Sequence, residues 1–258
     1  MAKLTNSDFD GSKKFPGKLK VERREFIQYS TLGVLGLVLA GGVVGSPYLK
    51  ADENRLRPPG AVDEDRFLAL CIKCGQCLQV CPYHSIKLAD FAKGFGVGTP
   101  YIDARERGCY LCGAVPCVLA CPSGALDHHT EKPEDVHMGV AVLINPDSCI
   151  GITKKPVPQK HIDTIHSHSH SADQEKEVLE KLDKFNGKAC TICADMCPLP
   201  NPLSAIAMVP HKGGGRYPEI YDGCVGCGVC EELCPVDTPA IVVKSRLTYK
   251  DYYEKGKK

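Results

Sequence analysis

The chain has 258 residues, of which 24% are charged and only 7% are aromatic, with no Trp and a formal net charge of +1. Lys and Arg are dispersed, with no basic face interleaved with aromatic residues, which argues against a nucleic-acid-binding protein. So few aromatic residues also argue against a large hydrophobic core. The sixteen cysteines are therefore the outstanding feature of the composition.

The N-terminal part of the chain has the character of an export signal. Two arginines, Arg23 and Arg24, precede an apolar run over residues 31–45 that contains five glycines and is shorter than a membrane-spanning helix. The pair followed by Phe26 and Ile27 resembles a twin-arginine signal, which exports folded proteins. The alternative is an ordinary basic patch before an amphipathic helix. No clear cleavage site follows, so residues 1–51 are predicted to be a signal sequence or an uncleaved membrane anchor, and residues 52–65 a linker.

Four cysteine runs follow, and each ends in Pro. The first has the spacing C-x2-C-x2-C-x3-C-P, which is the ligand run of two-cluster 4Fe-4S ferredoxins, where the fourth cysteine serves the neighbouring cluster. The four runs account for every cysteine in the chain: Cys71, Cys74, Cys77, Cys81; Cys109, Cys112, Cys117, Cys121; Cys149, Cys190, Cys193, Cys197; Cys224, Cys227, Cys230, Cys234. The sequence thus predicts four 4Fe-4S clusters, with iron bound through all sixteen cysteines.

Two other uses of cysteine compete with this interpretation. Zinc favours pairs of C-x2-C hairpins separated by a longer loop, whereas these runs crowd three thiolates together. Disulfides are conceivable in an exported protein. They do not explain the Pro after every fourth cysteine, nor the glycines Gly75, Gly226 and Gly228 within the runs. Iron-sulfur clusters therefore remain the preferred interpretation.

The segments between the runs repeat one layout, a short apolar stretch, a turn and a strand-like stretch. Strands are predicted at 85–88, 101–103, 141–144, 205–208, 218–220 and 239–243, with an apolar stretch at 124–126. This repeat predicts an α+β fold over residues 66–246, with two ferredoxin-like modules built from β-hairpins and short helices. Residues 247–258 form a polar tail without a chemical signal.

An insertion over residues 150–189 interrupts the third run. It contains alternating histidines, which suggest a weak accessory site for Zn, Ni or Cu: His161, His166, His168 and His170. The preferred interpretation is a solvated surface insertion. Deleting residues 154–184 is then expected to leave all four clusters in place.

The motif set resembles the NapG/MauM group of exported ferredoxin-type proteins, and within it most closely the NapG branch. The likeness rests on the stretch from Arg55 to Ala61, on the first two cysteine runs and their flanks, on Gly98-Thr-Pro-Tyr101 and on residues 138–143. It extends from the twin arginines to Ile241, and the insertion is its main departure.

The resemblance implies an electron relay on the periplasmic side of the membrane. Electrons would come from a membrane quinol-oxidising partner of NapH type and pass to periplasmic nitrate reductase, directly or through a cytochrome c. The MauM branch implies an alternative, a maturation factor or electron donor for methylamine dehydrogenase or for another periplasmic enzyme. The sequence has no nucleotide-binding loop, nucleophile-base pair or haem-attachment motif, so an electron carrier is predicted and not an enzyme.

The spacing leaves two ways to pair the runs, one with two and three with four, or one with four and two with three. The second run resembles its counterpart in β-subunits of the DMSO reductase family, which implies the nested pairing of one with four. The four ligand sets would then be Cys71, Cys74, Cys77, Cys234; Cys81, Cys224, Cys227, Cys230; Cys109, Cys112, Cys117, Cys197; and Cys121, Cys149, Cys190, Cys193.

Charges beside the runs should separate the cluster potentials. Lys73 lies inside the first run and is expected to raise the potential there, whereas Glu231 and Glu232 are expected to lower the potentials beside the last run.

Overall fold

The computed structural model describes residues 31, 55–91, 96–168 and 173–255. The chain divides into two units, Met1–Pro47 and Tyr48–Lys258, and nearly all described residues belong to the second. The predicted signal or anchor over residues 1–51 lies outside the described residues apart from Thr31. Within the described part of the chain, no helix combines the length and the apolar character needed to cross a membrane.

The described residues of the second unit contain short helices and six short strands, in keeping with the predicted α+β class. The helices are α1 (Glu64–Leu70), α2 (Gln76–Gln79), α3 (Pro116–Leu119), α4 (Ile150–Thr153), α5 (Gln159–Ser167), α6 (Asp173–Asp183), α7 (Ile192–Asp195) and α8 (Val229–Glu232). The strands are β1 (Ile86–Leu88), β2 (Pro100–Ile102), β3 (Gly139–Leu143), β4 (Ile206–Pro210), β5 (Arg216–Ile220) and β6 (Ile241–Ser245). One-turn 3-10 helices lie at Pro133–Asp135, Pro146–Ser148 and Pro202–Ser204, and a π-helical turn lies at Lys250–Glu254.

The strands form two modules built on the same plan. In the first module, residues 55–127, an antiparallel hairpin pairs β1 with β2 in the register Ile86↔Ile102. In the second module, residues 138–246, an antiparallel hairpin pairs β4 with β5 in the register Ile206↔Ile220. Each hairpin separates two cysteine runs, so each module contains two complete runs.

In each module, the segment that precedes the first cysteine run pairs with the segment that follows the second. In the second module these segments are β3 and β6, which pair over five residues from Gly139↔Ser245 to Leu143↔Ile241. In the first module the contact is one antiparallel bridge, Ala61↔Leu126. The apolar stretch at 124–126 therefore contributes only this bridge, because β3 takes β6 as its partner.

The described part of the predicted linker packs against the first module. Leu56 is buried and forms an antiparallel bridge with Ile102. Arg57 is 3% exposed and its guanidinium lies 4.6 Å from the centre of the Phe67 ring. From Arg55 onward this segment is therefore part of the domain and not a connection to it.

The prediction of a solvated surface insertion at 150–189 is wrong. Helices α5 and α6 contact each other, and their apolar faces pack into the main core, where Ile162 and Leu182 are almost fully buried. Val157 is also buried. Its N–H donates to the Lys188 carbonyl oxygen at 2.9 Å, and its carbonyl oxygen accepts the Gly187 N–H at 3.0 Å. Sequence periodicity could not distinguish this packed hairpin from an exposed one, because charged residues cover its other face.

Candidate iron-sulfur ligand sets

The clearest ligand set joins the end of the first run to the start of the second. Cys81, Cys109, Cys112 and Cys117 line one mostly apolar cavity with Tyr83, Tyr110 and Ile102. Burial, together with the neighbouring Cys81 and Cys112 thiols, raises the pKa of Cys117 to about 12. We call these four cysteines set B.

The remaining cysteines of the first two runs form set A, which comprises Cys71, Cys74, Cys77 and Cys121. Burial raises the pKa of the Cys77 thiol to about 11, with further contributions from the nearby thiols of Cys71, Cys121 and Cys74. Cys74 is the only one of the sixteen cysteines that is exposed. Set A is therefore the ligand set with most access to solvent.

In both modules the fourth cysteine of each run lies with the first three cysteines of the other run. Set C comprises Cys197, Cys224, Cys227 and Cys230, which line one cavity. Set D comprises Cys149, Cys190, Cys193 and Cys234, which line another. Burial raises the pKa of Cys190 to about 12 and holds the pKa values of Cys193 and Cys230 well above their usual range.

The nested pairing implied by the likeness to DMSO reductase β-subunits is wrong. Cys81 shares its cavity with Cys109 and not with Cys224, and Cys234 shares its cavity with Cys149 and not with Cys71. Run one pairs with run two and run three with run four. The physical reason is the strand pairing, which encloses runs one and two in the first module and runs three and four in the second.

The cysteine loops use left-handed backbone to turn tightly. The residue before the second cysteine has positive φ in three runs, at Lys73 (57°), Leu111 (48°) and Gly226 (69°). Non-Gly residues rarely adopt this conformation, which clusters at ligand sites. At Gly226 a side chain is also excluded by space, since a Cβ there would lie 2.2 Å from the Gly139 carbonyl carbon. The third run is the exception, because Ala189, the residue before its second cysteine, does not have a positive φ.

Backbone N–H groups point at several of the cysteine sulfurs. Ser85 donates to Cys81 Sγ, Ala141 to Cys224 Sγ and Ala240 to Cys234 Sγ, each at 3.4 Å. Burial alone would raise the pKa of Cys121, but hydrogen bonds from the N–H groups of Leu126, Ser123 and Ala125 outweigh it and lower that pKa. Such donors stabilise thiolate and are a usual means of tuning iron-sulfur centres.

These ligand sets fit a multi-iron centre better than a single zinc ion. Around one zinc, four sulfurs at about 2.3 Å from the metal crowd tightly together. Across the described ranges, no three His, Cys, Asp or Glu side chains come close enough to share one metal ion. Four thiols spread around an apolar cavity match the chemistry of a thiolate-bound cluster.

The histidines of the insertion have separate partners. His161 Nε2 lies 3.1 Å from the Leu233 carbonyl oxygen, and His166 Nε2 lies 2.8 Å from Asp183 Oδ1. His168 is exposed, and His170 lies outside the described residues. The described histidines therefore do not assemble the predicted accessory metal site, because the helix turns His161 inward and His166 towards α6.

Comparison with protein families supports the assignment of iron-sulfur ligands. A family model described as a 4Fe-4S dicluster domain matches residues 70–125, which contain sets A and B. A second, described as a 4Fe-4S binding domain, matches residues 224–238, which contain the fourth run. The first match spans runs one and two together, in agreement with their pairing in the structure.

Whole-chain relatives carry two different names. The "Ferredoxin-type protein NapG" of Escherichia coli (strain K12) is 33% identical over 86% of this chain and 84% of its own length. The "Methylamine utilization ferredoxin-type protein MauM" of Methylorubrum extorquens is 34% identical over 87% of this chain and 89% of its own length. The "Ferredoxin-type protein NapF" of Escherichia coli is 27% identical over 42% of this chain. No solved structure gives a significant match.

Proposed function

This chain belongs to the NapG/MauM family of ferredoxin-type electron-transfer proteins, and from that premise we propose that it holds four 4Fe-4S clusters and relays electrons to a periplasmic enzyme. The observation that supports this most strongly is the gathering of all sixteen cysteines into sets A to D. When bound, such clusters accept and donate one electron at a time.

The residues of the chain would serve these centres in three ways. The cysteines supply thiolates, while the N–H groups of Ser85, Ala141 and Ala240 stabilise negative charge on sulfur. Apolar walls such as Ile102 and Ile192 exclude water from the cavities. The exposure of Cys74 brings one ligand of set A within reach of a partner protein.

The proposed donor is a membrane quinol-oxidising protein of NapH type, and the proposed acceptor is periplasmic nitrate reductase, reached directly or through a cytochrome c. The acceptor follows from the resemblance to NapG. A second candidate is favoured by the 34% identity to MauM, namely service to a methylamine-oxidising enzyme, either as an electron donor or during its maturation.

A depletion experiment separates relay from maturation. The protein is removed after the terminal reductase has matured, and nitrate reduction is measured with a quinol and with an artificial electron donor. A relay predicts loss of only the quinol-dependent rate. Maturation predicts that both rates persist, because the mature reductase no longer needs the protein.

We further propose export by the twin-arginine route, on the basis of Arg23, Arg24, Phe26 and Ile27. Replacing both arginines by lysine keeps the charge but removes the recognised pair. The variant should accumulate in the cytoplasm with its iron content unchanged. Export of the variant at the normal rate would contradict the proposal.

A further inference from the structure

The two modules meet along the segment 105–109, directly before and at Cys109, the first cysteine of the second run and a member of set B. The Cys109 N–H donates to the Cys227 carbonyl oxygen at 2.7 Å, which links a ligand of set B to a ligand of set C. The Arg105 guanidinium donates to the carbonyl oxygens of Cys234 at 3.0 Å and Val236 at 2.6 Å. The backbones approach so closely here that there is no room for a side chain at Gly108, where a Cβ would lie 2.5 Å from the Val229 nitrogen.

A buried charge network lies at the same place. Arg107 pairs with Glu175 of helix α6 and, at 3.4 Å, with Glu232 of helix α8. Glu232 also accepts the Gly108 N–H at 2.8 Å, and Arg107 Nε donates to the Tyr83 carbonyl oxygen at 3.0 Å. The side chains of Arg107, Glu175 and Glu232 are 9%, 3% and 1% exposed.

Glu175 reaches this network only because the insertion packs as it does. Helix α6 is held by the fully buried Leu182, and its partner α5 is held by Ile162 and by the bond from His161 to the Leu233 carbonyl oxygen. The insertion therefore contacts the first module through Arg107 and bonds Leu233 of the second through His161. Of the two carboxylates paired with Arg107, Glu175 is the closer, whereas Glu232 lies at 3.4 Å and also accepts the Gly108 N–H. Removing Glu175 leaves Arg107 with only this longer, shared contact, and breaking a buried charge network in this way is destabilising.

We propose that the helical pair α5 and α6 is a clamp that holds ligand sets B and C at a fixed separation, with Glu175 as its positioning residue. The inference rests on the proposed relay function, since electron tunnelling falls steeply with distance and a relay needs its two modules held together.

The test compares Glu175→Gln with Glu180→Gln in the full-length protein, purified anaerobically with its clusters. Glu180 lies on the same helix but is exposed, so its variant is a matched control. Hydrogen-deuterium exchange of peptides covering residues 105–110 and 225–233 reports the contact itself. The magnetic interaction between reduced clusters, measured by EPR, reports the separation of sets B and C.

Glu175→Gln should speed exchange in both peptides by about tenfold or more, because the loss of a buried partner makes local opening more frequent. It should also weaken the magnetic interaction at unchanged iron content, while Glu180→Gln matches the wild type. Exchange of Glu175→Gln within about twofold of the control would overturn the clamp. If Glu175→Gln fails to retain clusters, Glu175→Asp decides by the same exchange criterion, because it keeps the charge but shortens the reach.

Separate measurements test the proposed relay function and the clamp. Iron and sulfide content of the wild type, together with quinol-dependent activity, tests the proposed function. The difference in exchange between the two glutamine variants tests the clamp independently of any partner.

Discussion

The two modules group their cysteines in the same way, with the fourth cysteine of each run beside the first three of the other, but they differ in the protein that surrounds these sets. The first module is closed by a single bridge, has three-residue strands and leaves Cys74 exposed. The second is closed by five-residue strands, carries a helical pair and leaves no cysteine exposed. Cluster potentials depend on solvent access and local hydrogen bonds as well as on the ligands. Four cysteine ligands in every set therefore do not imply equal redox properties, and we expect set A to differ most from set D.

Removing iron should have the largest effect of all on structure. It should unfold both modules, so that they no longer differ in amide protection. Metal-binding free energy becomes folding free energy in small metal domains, on the order of 10 kcal/mol per site in zinc examples. Both modules are expected to lose amide protection after anaerobic chelation, including α5 and α6, which are too short to persist alone. Hydrogen exchange measures this. Protection that survives in the second module would mean that its larger core suffices without metal.

Double cysteine replacements should show directly which cysteines share a cluster. Cys74→Ala and Cys121→Ala both affect set A, so the double variant should lose about four irons, no more than either single variant. Cys74→Ala with Cys234→Ala affects sets A and D and should lose about eight. Iron and acid-labile sulfide analysis gives the count. The reverse pattern would restore the nested pairing, in which Cys74 and Cys234 share a cluster.

Charge replacements should sharpen the contrast near set A. Arg57 is 3% exposed and interacts electrostatically with Cys71, whereas Lys73 is exposed and screened by water. Arg57→Gln is expected to lower the potential of set A by about 50 mV, equivalent to about 1 kcal/mol for one electron. Lys73→Gln should lower it by less than about half as much. An EPR-monitored redox titration checks both, and a larger shift for Lys73→Gln would refute the screening argument.

The smallest effect on stability is expected from a replacement in the C-terminal tail, which packs against the second module. The Tyr253 hydroxyl donates to the Ala141 carbonyl oxygen at 3.1 Å, on the strand whose Ala141 N–H bonds Cys224 Sγ. Tyr253→Phe should cost about 1 kcal/mol locally and modestly speed exchange in β3. Tyr252→Phe is the control on the neighbouring ring. Equal exchange in the two variants would show that the hydroxyl contributes nothing to β3.

Much of the fold followed from local pattern. The predicted strands near 85–88, 101–103, 205–208 and 218–220 form β1, β2, β4 and β5, because an apolar stretch next to a turn can pair only with its close neighbour. The partner of β3 was not predictable in this way, since β6 lies about a hundred residues further along the chain. The same holds for Leu126, which meets Ala61 from before the first run.

The sequence by itself determined the candidate iron ligands, because the closely spaced cysteines of a run can be recognised from neighbours alone. Only the tertiary structure decided where each fourth cysteine goes, since that depends on which runs pack together and not on spacing. It likewise decided the fate of the insertion. Glu175 looks like any solvated helix residue until Arg107 and Glu232, from distant parts of the chain, enclose it. Short-range geometry is encoded in consecutive residues, whereas burial is a property of the whole packed chain.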